Sequence, residues 1–278
     1  MKYGFVMPYG DARLAADLAA AAEDGGWDGF FVWEAIWGVD AWVALTAAAM
    51  STRRVRLGTM LTPLPRRRPW DVASQSATLD NLSGGRVNLA VGLGATDNRW
   101  WLFEDDPGRR TRAERLDEGL AVLTGLWSGQ PFAFAGKHYT ARPTTSMVPA
   151  PPVQVPRIPI WVVGGWPAAR SMRRAARWDG WLPNVLPRGD GPADLTPDTV
   201  RTGAEWIRER RAAEGLPTAG YDIVVEGTTP ADDPAAARAR VAPWADAGAT
   251  WWIEADWSVE QAQVRPYALR RLAAGPPR

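Results

Sequence analysis

Two carboxylates stand where a proton could be moved. Glu34 follows the apolar run Gly29 to Trp33 (GFFVW), and Asp97 lies in the polar and aromatic stretch Ala95 to Arg109. A carboxylate at a strand exit, partly removed from water, can acquire a raised pKa and act as acid or base; the same placement suits a structural ion pair equally well. A second chemistry is phosphate binding. Gly164-Gly165-Trp166-Pro167 follows the apolar run Ile158 to Val163 and opens a helix, so backbone N–H groups and the positive helix end would converge on one spot. Pro167 lacks an N–H, which makes Gly165 and Trp166 the better donors. A tight strand-to-helix turn is the competing reading. Gly92 and Gly94 would let a planar ring approach the backbone, or would thin a strand for packing. Trp33, Trp37, Trp100, Trp101 and Trp166 fall at strand exits and could wall an apolar pocket, although with 17 tryptophans in the chain packing roles are common.

Composition narrows the classes. The formal net charge is +1, so no electrostatic footprint for nucleic acid or an anionic membrane surface exists, and a small-molecule ligand is the default partner. Cysteine is absent, which removes disulfides, thiolate metal sites and a Cys nucleophile and fits a cytoplasmic protein. With a single histidine, His138, a His-rich metal site is impossible and no metal ligands are assigned. No uninterrupted apolar span reaches the roughly 20 residues that a membrane helix needs. No Gly-x-Ser-x-Gly motif supports a hydrolase.

The elements that must position these residues repeat. Lys2 to Met7 reads as a strand, and Asp11 caps an Ala/Leu-rich helix stopped by Gly25-Gly26. Further strands are expected at Gly29 to Trp33, Val55 to Leu61, Val87 to Val91, Ile158 to Val163, Gly180 to Pro183, Tyr221 to Glu226 and Thr250 to Glu254, each followed by a helix. Roughly eight such units in 278 residues predict one (β/α)8 barrel spanning the whole chain, with its site at the strand exits. The Pro-rich segment 130–157 is expected as an insertion between strands four and five, with a small hairpin around Gly136-Lys137-His138-Tyr139. Trp127, Trp161, Trp206 and Trp244 read as packing residues.

Four blocks carry a family resemblance: RVRLGTMLTPLPRRRP (54–69), TLDNLSGGRVNLAVGLG (78–94), RAERLDEGLAVLTGLWSG (112–129) and PIWVVGGWPAARSMRRAARWDGWLP (159–183). Together with AAEDGGWDGFFVWE (21–34) they resemble the bacterial luciferase-like monooxygenases. The resemblance implies a TIM-type barrel that uses FMN or the deazaflavin coenzyme F-420 in reduced form, for hydride transfer to or from an apolar organic substrate or for its oxygenation. It implies a bulge or cis peptide within Thr59-Met60-Leu61-Thr62 supporting the ring system, and a cofactor phosphate at Gly164-Gly165-Trp166. Arg66, Arg67 and Arg68 would then meet the polyglutamate tail of F-420 or an acidic substrate, or remain a solvated basic loop. A flavin reductase or F-420-reducing enzyme as partner, and a homodimer, also follow from the resemblance alone. Two positions depart from the family. Ala35 stands where many members have His, and Ala95 where deazaflavin-dependent sugar dehydrogenases have Glu. A catalytically idle barrel that binds a ligand or partner is therefore the alternative.

Overall fold

A computed structural model describes residues 1–95, 102–146, 149–186 and 194–278. The chain alternates strand and helix. β1 (Lys2–Met7), α1 (Ala12–Asp24), β2 (Gly29–Val32), α2 (Ala41–Ser51), β3 (Arg56–Thr62), α3 (Pro69–Ser83), β4 (Val87–Val91) and α4 (Arg109–Trp127) make the first half. A two-stranded hairpin, β5 (Phe134–Ala135) with β6 (Thr140–Ala141), comes next. The second half is β7 (Ile160–Trp166), α5 (Ala169–Ala176), β8 (Gly180–Val185), α6 (Pro197–Ala213), β9 (Asp222–Gly227), α7 (Pro234–Asp246), β10 (Trp251–Glu254) and α8 (Val264–Ala273). Eight parallel strands close in the order β1-β10-β9-β8-β7-β4-β3-β2, so the fold is the (β/α)8 barrel that the repeating units predict.

Local chemistry sets the helix ends. The Asp11 carboxylate accepts from Leu14 N at 2.8 Å, and Asp40 accepts from the amides of Trp42 and Val43 at 2.9 Å. Pro69 opens α3, and Gly84 closes it at φ +68°, a left-handed conformation suited to glycine.

Strand alternation then sorts side chains into two layers. One set packs outward beneath the helices. The other fills the lumen with Val6, Phe31, Met60, Ala90, Trp161, Leu182, Val224, Trp251 and Ile253. Phe31, Trp161 and Trp251 meet there with ring centroids 5.3–5.9 Å apart. They need room, and Gly4 and Gly29 supply it: a Cβ on either would lie 2.6–2.7 Å from the Phe31 ring. This aromatic layer fills the barrel interior, as large and small residues alternate between neighbouring strands. The usable opening lies at the C-terminal strand ends.

Two strand ends differ from expectation. The run Gly164-Gly165-Trp166 belongs to β7 itself rather than to a turn after it, because β8 keeps supplying ladder partners: Gly164 aligns with Pro183, Gly165 with Asn184 and Trp166 with Val185. Neighbouring strands override the local glycine signal. The chain turns into α5 only after the cis Trp166–Pro167 bond. β8 likewise continues past Pro183 to Val185.

Candidate active site at the barrel mouth

A cavity of about 600 Å³ opens at the C-terminal strand ends. Its floor is apolar and comes from Met60, Leu61 and Val163. The peptide bond between Met60 and Leu61 is cis, and the β3–β4 register shifts between Thr59 and Thr62, so both side chains turn towards the lumen where strict alternation would send only one. Thr59 is buried and donates to Ala90 O at 3.2 Å, while Thr62 Oγ1 lies 3.0 Å from Thr59 Oγ1. Thr59 thus secures the irregular strand from behind, whereas Met60 and Leu61 form the surface.

Glu34 sits on the cavity wall, with only 7% of its side chain exposed. Its Oε1 pairs with the Arg67 guanidinium, and its Oε2 accepts from Thr62 Oγ1 at 2.9 Å. Arg67 also donates to Gln75 Oε1 at 2.8 Å, which ties the mouth to α3. The basic loop therefore divides its work: Arg67 is an ion-pair partner, Arg68 is exposed, and Arg66 lines the cavity beside Glu104 at 3.5 Å.

The glycine sites separate in the same way. Gly94 and Gly165 line the cavity. Gly94 has φ +77°, and its carbonyl accepts from Arg112 at 2.7 Å, so an arginine of α4 holds the exit of β4. The Gly165 N–H donates to Ser171 Oγ at 2.8 Å inside the first turns of α5. Gly92 has a packing reason: a Cβ there would lie 2.9 Å from Leu61 Cδ2. The side-chain positions of Gly164 and Trp166 lie on the outer face of β7, away from the mouth. A Cβ on Gly164 would strike Trp181 Nε1 at 2.5 Å, the Gly164 carbonyl accepts from that nitrogen at 2.9 Å, and Trp166 packs into the outer core. Alternation along β7 explains this, since Val163 and Gly165 take the lumen side.

Aromatic side chains wall the opposite flank. Tyr9 and Trp257 each meet Trp33 edge-on, at 6.4 and 6.3 Å between ring centroids. Trp33 Nε1 donates to Pro8 O, which fixes the ring. A second hollow of about 830 Å³ shares Tyr9, Trp33 and Ile36 and extends towards Trp37, Ala35 and Phe103. Trp37 is 86% exposed at its rim. Asp97, Trp100 and Trp101 lie outside the described residues.

Several cavity residues escaped the sequence reading. Trp257 follows β10, Asn184 belongs to β8, and Arg109 and Arg112 open α4. The usable signal was strand alternation continued to the last residue, since carboxyl ends of barrel strands carry the site. Ser171 required the β7–α5 geometry.

His138 is remote from this centre. It sits in the turn of the hairpin, with Nε2 2.9 Å from Glu114 Oε2 on α4. Among the described residues no group of three or more His, Asp or Glu side chains could hold a metal ion, and no helix is long and apolar enough to cross a membrane.

An eight-stranded parallel barrel with an apolar cleft at the strand carboxyl ends, lined also by arginines and aromatic side chains, defines a (β/α)8-barrel protein with room for a planar ring at its mouth. The chain belongs to the luciferase-like monooxygenase family, whose model matches residues 4–274. A Mycobacterium tuberculosis protein provisionally named a coenzyme F-420-dependent oxidoreductase is 34% identical over 259 residues, covering 88% of this chain and 71% of that protein. An F-420-dependent glucose-6-phosphate dehydrogenase of Beutenbergia cavernae is 34% identical over 232 residues, covering 82% of this chain and 63% of the relative. The chain thus spans about two thirds of the length of these relatives. Among solved structures, a monooxygenase from Streptomyces bottropensis superposes with a TM-score of 0.79 at 22% identity, covering 99% of this chain and 98% of that one. The F-420-dependent tetrahydromethanopterin reductase of Methanopyrus kandleri gives 0.77 at 18% identity, covering 98% and 97%. A type II Baeyer-Villiger monooxygenase of Pseudomonas putida in complex with FMN gives 0.69 at 20% identity, covering 87% and 71%. At these identities the structural likeness is one of fold.

Proposed function

We propose that this protein is a coenzyme F-420-dependent oxidoreductase, transferring hydride between the deazaflavin and a neutral, largely apolar substrate. The observation that carries this reading is the charge distribution of the cleft. Arg66, Arg109 and Arg112 line the same cavity as the apolar floor of Met60, Leu61 and Val163, with Glu104 beside Arg66 and Asp106 beside Arg112. That pattern suits a planar ring bearing a phosphorylated, carboxylate-rich tail, because guanidinium groups pair with phosphate and carboxylate. The start of α5, where Ser171 meets Gly165, offers backbone amides to the same tail. When bound, the deazaflavin supplies the hydride chemistry. The protein orients it over the Met60–Leu61 floor and keeps water from the reacting face. An F-420-reducing enzyme would regenerate the reduced form.

A test uses parallel titration with F-420 and FMN, each oxidised and reduced, followed by tryptophan fluorescence quenching. F-420 is expected to bind at least tenfold more tightly than FMN, whose tail is shorter and less charged. Arg109→Glu should weaken F-420 binding tenfold or more, about 1.4 kcal/mol, without lowering Tm, because Arg109 is exposed and lies at the helix start. FMN selectivity would shift the reading towards oxygenation. Absence of binding by either would favour the idle barrel to which Ala35 and Ala95 point.

A further inference from the structure

The carboxyl end of β9 carries an acidic side chain that no feature of the cleft yet explains. Val224 belongs to the lumen cluster, and Glu226, two residues on, takes the same face. Its ladder partner Ile253 on β10 is also a lumen residue. The β8–β9 register pairs Gly180 with Asp222 and Trp181 with Ile223, and Asn184 lies on the same face of β8 as the lumen residue Leu182. Asn184 and Trp257 both line the cavity. Trp257 Nε1 donates to Glu226 Oε2 at 3.3 Å. Glu226 is thus exposed to solvent at the mouth, and it reaches the cavity wall through Trp257.

Building on the oxidoreductase reading above, we propose that Glu226 is the proton-exchanging residue of the site, acting on the hydroxyl or carbonyl oxygen of a neutral alcohol or ketone that Asn184 helps to hold. In the oxidising direction the substrate C–H bond breaks and its hydride passes to the deazaflavin. The O–H proton passes to the Glu226 carboxylate, and a C=O bond forms. Reduction runs the same transfers backwards, with the proton returned from the carboxylic acid.

Chemistry and surroundings agree. Protein packed around the carboxyl raises the Glu226 pKa above its ordinary range even though the residue is exposed at the mouth, and the bond from Trp257 lowers it in part. Its ladder partner on β10 is the apolar Ile253, and the titratable or charged groups lining the adjoining cavity are Tyr9, Glu34, Arg66, Arg109 and Arg112. Across the mouth, the acidic Glu34 is already paired with Arg67. The Glu226 carboxylate itself also repels a phosphate or carboxylate on the substrate, so a sugar phosphate is disfavoured at this end.

The experiment compares wild type with Glu226→Gln and Glu226→Asp. Neutral cyclic secondary alcohols and their ketones serve as probes, with glucose 6-phosphate as the charged counter-probe. For Glu226→Gln, kcat should fall by 10²–10⁴-fold and the pH limb of wild type should vanish, while the Kd for F-420 stays within about twofold. Glu226→Asp should recover part of kcat and restore the limb. Infrared difference spectra, wild type minus Glu226→Gln without cofactor, should show a protonated carboxyl band that persists above the ordinary glutamate range. Unchanged kcat in Glu226→Gln, absence of that band, or preferred turnover of glucose 6-phosphate would overturn the proposal. Failure of wild type to bind F-420 instead removes the oxidoreductase reading, and the infrared measurement still decides whether Glu226 holds a proton.

Discussion

Glu34 illustrates how far one residue can be read without its partners. A carboxylate after a strand is legible as an acid-base candidate, but its character depends on Arg67, which lies 33 positions away with no periodic relation to it. In the folded protein its two oxygens serve Arg67 and Thr62, and Thr62 touches Thr59 behind the cis Met60–Leu61 bond. The pair accordingly props up the floor of the cleft. Arg67→Leu strands a carboxylate whose side chain is 7% exposed and should cost about 3 kcal/mol in urea unfolding, since losing one partner of a buried pair is expensive. The double variant Arg67→Leu with Glu34→Gln should recover a good part of that loss. Equal stability of the single variant and wild type would show that the ion pair does not support the mouth. Glu226 is the converse case. YDIVVE reads simply as a strand, and only the knowledge that Val224 faces the lumen makes Glu226, two residues on, a candidate for the site.

At the scale of elements, features governed by adjacent residues were legible and features governed by distant ones were not. Capping by Asp11 and Asp40 and the left-handed stop at Gly84 are local effects, and the Asp11 cap occurs where the sequence places it. The ends of β7 and β8 depend on ladder partners, so glycine and proline misled there. The β5–β6 hairpin is intermediate. Its turn residues announce it, but what docks it is α4: Glu118 accepts from the amides of Lys137, His138 and Tyr139 at 2.8–3.1 Å. Glu114 accepts from Lys137 Nζ at 2.7 Å, with His138 at 2.9 Å, and these bonds, first that of Lys137, hold its carboxyl down at about 2. A carboxyl lowered by folding stabilises the fold above its unfolded value, and that contribution drains away as pH falls from about 4.5 towards 2. Hydrogen exchange of the hairpin amides should therefore accelerate over that window, before the barrel strands lose protection. In Glu114→Gln the acid-induced loosening should largely disappear from the hairpin. Persistence of the same pH dependence in that variant would assign it to another group, with Glu118, also lowered because three amide bonds outweigh its desolvation, as the next to test.

On the scale of the whole molecule, the barrel was legible because repetition is a global signal: eight apolar runs, each with its helix, leave few other ways to bury them. What no repeat reveals is how the two ends of the sheet are locked together. β1 joins β10, with Lys2 N donating to Thr250 O at 2.7 Å, and α8 lies over the seam. The lock is polar and buried. Glu254, fully buried on the outward face of β10, accepts from Thr229 N at 2.6 Å and Thr229 Oγ1 at 2.7 Å and stands 3.4 Å from Arg271 of α8. Arg271 donates to Thr229 Oγ1 and Gly275 O, and its guanidinium stacks over Trp27, whose Nε1 donates to Leu272 O at 3.1 Å. One arginine thus connects β10, the β9–α7 loop, α8 and the loop before β2. Arg271→Leu should lower stability by about 3–5 kcal/mol, because it leaves Glu254 charged and without its cation. Arg271→Leu combined with Glu254→Gln should be less harmful than the single change, since the uncompensated charge is gone. Glu254 is on the outward face of β10 whereas the cleft is on the lumen side, so F-420 affinity measured well below the lowered Tm should remain near that of wild type. A destabilised variant that also lost F-420 binding at such temperatures would mean that seam and mouth open as one unit.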